Sequence, residues 1–361
     1  MQTNAKHLLS YVKKASPVIP KNPVVPIVEN YLFESVEGLL QITATDMRTT
    51  IKVKTDIEFH EKFLVPSLFL DTLNTIGDKP IDVVFDKSNL GITIKSGRSK
   101  IKLASEDAND FPKLPEVEYT TYINLPRSEF DVLNSMVKFS GTDEHRPAMT
   151  GLYLNGKGKL SCASTDGHRL YSYDSVNEVE GELNHIIPAS VFKALGSSLS
   201  GDISISLHNS NVSFTDGNTT VVTRLIDERY PDYRNALPQN NPNQAKLFNG
   251  ELQASLQRVL LCTNKTTNQV KLSFSKDGVL TISAEDLDYS NEAVDTLDLI
   301  EYEGENLEIG FNGKYLLELL KSLGDSVVIE LSLPNRAAIF RNDGDLSKTL
   351  LLMPVMLNQN I

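Results

Sequence analysis

A short strand-and-turn motif recurs three times along this 361-residue chain, and its spacing limits the possible folds more than any other feature. Ile42-Thr43-Ala44-Thr45-Asp46 returns as Cys162-Ala163-Ser164-Thr165-Asp166 and as Ile282-Ser283-Ala284-Glu285-Asp286, so Asp46, Asp166 and Asp286 stand 120 residues apart. A second block follows each first one. Val65-Pro66-Ser67 leads into Phe69–Leu73, Ile187-Pro188-Ala189 into Val191–Leu195, and Phe311-Asn312-Gly313 into Tyr315–Leu319. A third echo sets Asp110-Phe111-Pro112 against Arg229-Tyr230-Pro231-Asp232. The period exceeds the ~20–50 residues of solenoid units and is that of a domain. Three such domains are each large enough to bury a core.

Within the repeats, hydrophobic periodicity predicts helices at Ala5–Ala15, Ser67–Ile76, Arg127–Phe139, Ala189–Leu195, Gly250–Cys262 and Gly313–Leu323. Alternating segments predict strands in the first repeat at Tyr31–Val36, Leu39–Thr45, Thr50–Thr55, Ile81–Phe85, Gly91–Ser96 and Lys100–Ser105. Turn signals such as Glu37-Gly38, Asn155-Gly156, Asp277-Gly278 and Asp343-Gly344 separate strands. Two helices packed on β-sheet per repeat is an α+β layout. Aperiodic, Pro- or Asn-rich stretches at Pro112–Tyr122 and Pro238–Asn243 place the domains at 1–122, 123–243 and 244–361.

Charge and motifs narrow the function. Lys and Arg total 35 against 47 Asp and Glu, a net charge of −12, which argues against holding nucleic acid by bulk electrostatics. The first helix departs from this balance. Lys6, Ser10, Lys13 and Lys14 share one face, with Leu8, Leu9 and Val12 opposite, although a solvated surface would read the same way. Two cysteines and six scattered histidines offer no ligand spacing, so no metal and no cofactor is expected. Cys162, at the repeat position of Ile42 and Ile282, reads as a core thiol. Neither GxxxxGK[ST] nor GxGxxG occurs. The N-terminus lacks a signal-peptide pattern and no apolar run approaches a membrane span, which gives a cytoplasmic expectation with no membrane partner.

Thr165-Asp166-Gly167-His168-Arg169-Leu170 offers an Asp and a His for acid–base chemistry, and an enzyme using Asp166 and His168 is one alternative. No nucleophile motif accompanies them, and the alignment of Asp166 with Asp46 and Asp286 points to a turn. Gly167-His168-Arg169 is peculiar to the second copy and marks a specialised site. The apolar end, Leu350–Leu357, reads as a final strand stopped near Pro354, with methionines beyond it suited to adaptable partner contacts.

Taken in order, Arg146-Pro147-Ala148-Met149-Thr150-Gly151, Ser164–Leu170, Asp227-Glu228-Arg229-Tyr230-Pro231-Asp232-Tyr233 and Met353-Pro354-Val355-Met356-Leu357, together with the triplication, resemble the bacterial DNA polymerase III β subunits, the sliding clamps. The resemblance spans essentially the whole chain. It implies three clamp domains per chain, a head-to-tail homodimer closed into a ring, passage of duplex DNA through the hole, and no catalysis. Implied partners are double-stranded DNA held topologically and without sequence preference, the polymerase III α subunit, an ATP-driven clamp loader and other proteins bearing a clamp-binding motif. A recognition protein unrelated to DNA is a further alternative. Proliferating cell nuclear antigen is disfavoured because its chain has two repeats.

By the same resemblance, Met149, Thr165, Gly167, His168, Arg169, Leu170, Pro238, Leu351, Met353, Pro354, Val355 and Met356 would form a cleft for Q-L-x-L-F-like peptides. Lys6, Lys13, Lys14, Lys21, Lys193, Arg258, Lys265, Lys314 and Lys321 would face DNA. Ile101 and Leu103 of one subunit would meet Leu260, Leu261 and Cys262 of the other. The chain departs from the family in having Asn22, Ala189 and Ser190 where basic residues are common. It also has Met356 at a frequent Arg position, and Asn358–Ile361 beyond the usual end.

Overall fold

The computed structural model describes residues 1–112, 119–208 and 210–357, with Glu180 and Gly181 described by backbone alone. The expected linker at Pro112–Tyr122 therefore falls largely, and the tail Asn358–Ile361 wholly, outside the described residues. The chain forms two compact units. One comprises the described residues of Met1–Asn134, Val179–Gly181 and His185–Asp227, and the other those of Ser135–Glu178, Glu182–Asn184 and Glu228–Ile361.

Among the described residues six α-helices are formed: α1 (Ala5–Ala15), α2 (Leu68–Ile76), α3 (Arg127–Met136), α4 (Ala189–Ser198), α5 (Asn249–Val259) and α6 (Gly313–Leu320). Helix α1 shows why the first repeat begins helically. The Asn4 side chain accepts from the N–H groups of Lys6 and His7 at 2.9 and 3.3 Å, satisfying two otherwise orphaned donors. Ala5, Leu8, Leu9, Val12 and Ala15 are buried along one stripe, and Lys13 and Lys14 sit favourably by the negative end of the helix dipole. All six predicted helices exist, but their ends differ. Val137–Phe139 and Leu260–Cys262 tighten into 3₁₀ turns, which bring the final helical carbonyls within reach of nearby donors. The Thr263 hydroxyl donates to Leu260 O at 2.9 Å.

In the first unit, an eight-stranded antiparallel sheet runs in the order Lys62–Pro66, Asn30–Val36, Leu39–Thr45, Thr49–Glu58, Thr219–Arg224, Asn211–Thr215, Ile203–Leu207, Thr121–Leu125. The first and second repeats meet inside it. Thr49–Val53 pairs with Thr219–Thr223, and the hydroxyls of Thr49 and Thr223 lie 2.9 Å apart. A four-stranded sheet, Gln2–Asn4, Pro80–Asp86, Gly91–Ser96 and Ser99–Ala104, leaves Ser99–Ala104 as an outer strand. A seven-stranded sheet runs Gly151–Thr165, Arg169–Pro188, Asp345–Leu352, Ala338–Asn342, Ser326–Leu331, Asn243–Phe248, Glu301–Glu303. Its companion runs Asn291–Asp298, Val279–Asp286, Gln269–Ser275, Leu307–Asn312.

The recurring Asp has the turn role that the repeats imply. Oδ1 of Asp46 accepts from the N–H of Arg48 and Thr49 at 2.8 and 2.6 Å, and Oδ1 of Asp166 from His168 and Arg169, both at 2.8 Å. The preceding threonine closes the same turn. Thr45 donates to Thr49 O at 3.0 Å and Thr165 to Arg169 O at 2.6 Å. Sequence reading missed a further copy at Thr215-Asp216, where Asp216 accepts from Asn218 and Thr219 at 3.0 and 2.7 Å. The third residue of these turns is left-handed, with φ of 72° at Met47, 89° at Gly167 and 94° at Gly217. Glycine suits that conformation, and methionine adopts it at a cost. In the third repeat Glu285 replaces the threonine, and Asp286 accepts from Asp288 N–H at 3.2 Å.

Candidate functional site

The specialised turn of the second repeat opens the site. Arg169 follows it, buried, with all three nitrogens of its guanidinium hydrogen-bonded. Nε donates to Asp166 Oδ2 at 3.0 Å, Nη1 to Glu318 Oε2 at 2.5 Å and Nη2 to Lys138 O at 3.2 Å. The guanidinium Cζ lies over the rings of both Phe139 and Tyr315, 5.1 and 4.2 Å from their centroids. Asp166 has one oxygen on two backbone N–H groups and the other on Arg169. Its arrangement is that of a structural acceptor rather than of a free base.

Strand register then brings the C-terminal segment alongside. Arg169 pairs with Leu352 and Leu170 with Leu351, and both leucines of the second pair are buried. The strand ends at Leu352, before Pro354. Beyond it, Met353 N–H donates to His168 O at 2.8 Å and Val355 N–H to Gly310 O at 2.9 Å. The Gln269 amide reaches Met356 O at 3.4 Å. Met353 is 42% and Met356 79% exposed, while Pro354 and Val355 are half-buried. The His168 ring, also exposed, stacks on Tyr315 at 6.3 Å. Met149 is half-buried in the 3₁₀ turn Pro147–Thr150, and its backbone O accepts from Gly141 N–H at 2.8 Å. Gly141 also lies beside Asp166. Through the Leu170–Leu351 register and the Met353–His168 hydrogen bond, exposed Met353 and His168 stand beside the buried leucine pair, an arrangement able to take apolar side chains. Pro238 is half-buried after the turn Tyr233–Ala236, outside the register and hydrogen bonds that join the others.

Glu318, Tyr315, Phe139 and Gly310 belong to this assembly, and sequence reading did not place them there. In the sequence Glu318 stands only as a residue between Lys314 and Lys321. A Cβ on Gly310 would lie 2.7 Å from Val355 O and 2.8 Å from Leu357 Cδ2, so only glycine lets the terminal segment dock this closely. Gly310→Ala is expected to displace residues 353–357 and weaken ligand binding at this surface about tenfold or more, with α5 and α6 intact. Amide exchange at Met353 and Val355 checks this, and unchanged protection there would contradict it.

The cations expected to face DNA are exposed except for half-buried Lys14. Lys6, Lys13 and Lys14 lie on α1, Lys193 on α4, Arg258 on α5 and Lys314 on α6. Lys321 caps α6, and Lys21 and Lys265 lie in loops. Two are partly neutralised. Lys6 pairs with Asp78 at 3.3 Å, and Arg258 Nε donates to Asp295 at 2.8 Å. The Asp295 carboxyl is held below its usual range, first by the Arg258 hydrogen bond. Ile101 and Leu103 are half-buried on the outer strand Ser99–Ala104. Leu261 protrudes from its 3₁₀ turn at 83% exposure, between half-buried Leu260 and Cys262. Cys162 is a buried strand thiol, as expected from its repeat position.

A three-repeat α+β chain whose C-terminal segment docks beside the second-repeat turn defines a class, and comparison with known proteins identifies it. Models of the DNA polymerase III beta subunit match along the chain: the N-terminal domain at residues 1–115, the central domain at 124–232 and the C-terminal domain at 234–356. The beta sliding clamp of Chlamydia muridarum is 28% identical over 326 residues, covering 88% of each chain. The crystal structure of the DNA polymerase III subunit beta from Pseudomonas aeruginosa is 25% identical with a TM-score of 0.91, covering 99% of this chain and 100% of that one. A sliding clamp from Bartonella birtlesii, solved bound to griselimycin, is 26% identical with a TM-score of 0.90, covering 99% of each. The chain belongs to the DNA polymerase III β subunit family, the DNA sliding clamps, and is built of three clamp domains.

Proposed function

We propose that two copies of this chain close head to tail into a ring around duplex DNA and tether the replicative polymerase through the cleft at Leu170, Leu351 and Met353. The match of all three clamp domains in order along the chain carries this reading. The domains run 1–122, 123–243 and 244–361. The polymerase III α subunit, the clamp loader and other proteins with Q-L-x-L-F-like segments are the cleft's partners. That a similar clamp is bound to griselimycin supports a ligand site of this kind. The ring is a processivity factor of the cytoplasm and catalyses nothing. The engagement of both Asp166 oxygens weighs against the alternative of an enzyme.

Charge supports a topological hold. A chain of net charge −12 repels phosphate overall, while exposed cations on α1, α4, α5 and α6 offer weak local attraction. Many tight phosphate contacts would make retention steeply salt-dependent and slow sliding. Outer strands supply the closure. Ser99–Ala104 bears exposed Lys100 and Lys102 next to Arg98, whereas Asn291–Asp298 bears exposed Glu292 and Asp298. Pairing a basic edge with an acidic one joins the subunits, fixes their register and covers both edges. Loaded by its cognate loader onto nicked circular DNA, the protein is expected to stay bound through gel filtration in moderate salt and to leave when the circle is cut. Equal retention on circular and linear DNA would contradict a topological hold.

A further inference from the structure

We propose that Glu318 is a positioning residue for the cleft, acting through Arg169; this rests on the cleft reading above. Arg169 is a buried cation, its side chain 7% exposed, and a buried guanidinium needs partners for its planar fork of donors. Asp166 supplies one and Glu318 another, from positions 149 residues apart along the chain in the case of Glu318. Glu318 is itself half in solvent, with 55% of its side chain exposed. Its carboxylate turns to Arg169 although Lys314 and Lys321 stand at i−4 and i+3 on the same helical face.

The consequence passes along a chain of hydrogen bonds. Glu318 and Asp166 together fix the guanidinium, and the other oxygen of Asp166 fixes the N–H groups of His168 and Arg169. The turn so held presents His168 O to Met353 N–H. Tyr315, one turn before Glu318 on α6, adds its ring under Arg169 and beside His168. Helix α6 of the third repeat thereby sets where both His168 and Met353 stand. The guanidinium is buried, with Nε, Nη1 and Nη2 each donating within the protein, so it is committed to Asp166, Glu318 and Lys138 O rather than offered to a ligand. The cleft takes an apolar peptide whose polar end meets backbone or His168, not a carboxylate anchored on Arg169.

The test compares Glu318→Gln and Glu318→Asp with the native chain, using a fluorescently labelled Q-L-x-L-F peptide and amide exchange at Met353. Glu318→Gln should weaken binding about five- to tenfold, the scale of one lost charge-assisted hydrogen bond discounted for exposure. It should also speed exchange of the Met353 amide while leaving the melting temperature within a few degrees. Glu318→Asp, keeping the charge, should recover affinity to within about twofold of native. Native-like binding by Glu318→Gln overturns the proposal, as does an equal loss in Glu318→Asp. If the native chain binds no peptide, the cleft reading fails by itself, and the Met353 amide still decides. Faster exchange in Glu318→Gln upholds the positioning role and unchanged exchange overturns it.

Discussion

A chain carrying Leu261→Lys is expected to be monomeric at concentrations where the native chain is a dimer. Leu261 stands almost free in solvent on the 3₁₀ turn that follows α5. Lysine there costs the isolated chain little, since exposed substitutions usually change stability by about 0.5 kcal/mol or less. In the proposed dimer the position is covered. The variant then loses about 1.5–3 kcal/mol of apolar burial and traps an ammonium without a partner. A combined loss on the order of 3–5 kcal/mol weakens dimerisation by at least about a hundredfold. Sedimentation velocity over a dilution series checks this, with the melting curve as a control on folding. A dimer that persists at low concentration would mean that Leu261 lies outside the interface.

How far the sequence revealed this site depends on how local each signal is. Helix α1 was legible because its stripe of Leu8, Leu9 and Val12 lies within a few residues, whereas its cap at Asn4, equally local, was not read. The Asp166 turn was legible because the chain repeats it. The copy at Thr215-Asp216 was overlooked because it falls off the 120-residue period, although its Thr-Asp-Gly is plain to read. The end of the last strand before Pro354 was also local, since proline lacks the N–H that a ladder needs. Glu318 was not legible for the opposite reason. Its neighbours on α6 are lysines, and only folding brings Arg169 to it. Gly310 looks like an ordinary weak spot in a strand until Val355 is found against it. Residues whose role is to hold one repeat's turn against another repeat's helix leave no pattern at helical or strand spacing.

The cleft should show the other large effect. In the proposed cleft Leu170 would be the floor and Met353 the rim. Leu170 is buried opposite Leu351, and Met353 is exposed and held by His168 O. Truncating a buried leucine to alanine costs about 2–5 kcal/mol and leaves a cavity, so Leu170→Ala alone mixes lost binding with a loosened sheet. Met353→Ala removes little buried surface and reports on contact alone. It is expected to weaken peptide binding about tenfold, and Leu170→Ala/Met353→Ala by about a hundredfold or more, the range of central anchors in an interface. Melting curves separate the two causes, because only the double variant should unfold earlier.

The most direct measurement is fluorescence anisotropy of a labelled Q-L-x-L-F peptide titrated with the native chain and with Leu170→Ala/Met353→Ala. Saturable binding to the native chain that disappears in the folded double variant is the predicted result. No binding to the native chain, or equal binding to both, would contradict a clamp that recruits its partners through this cleft.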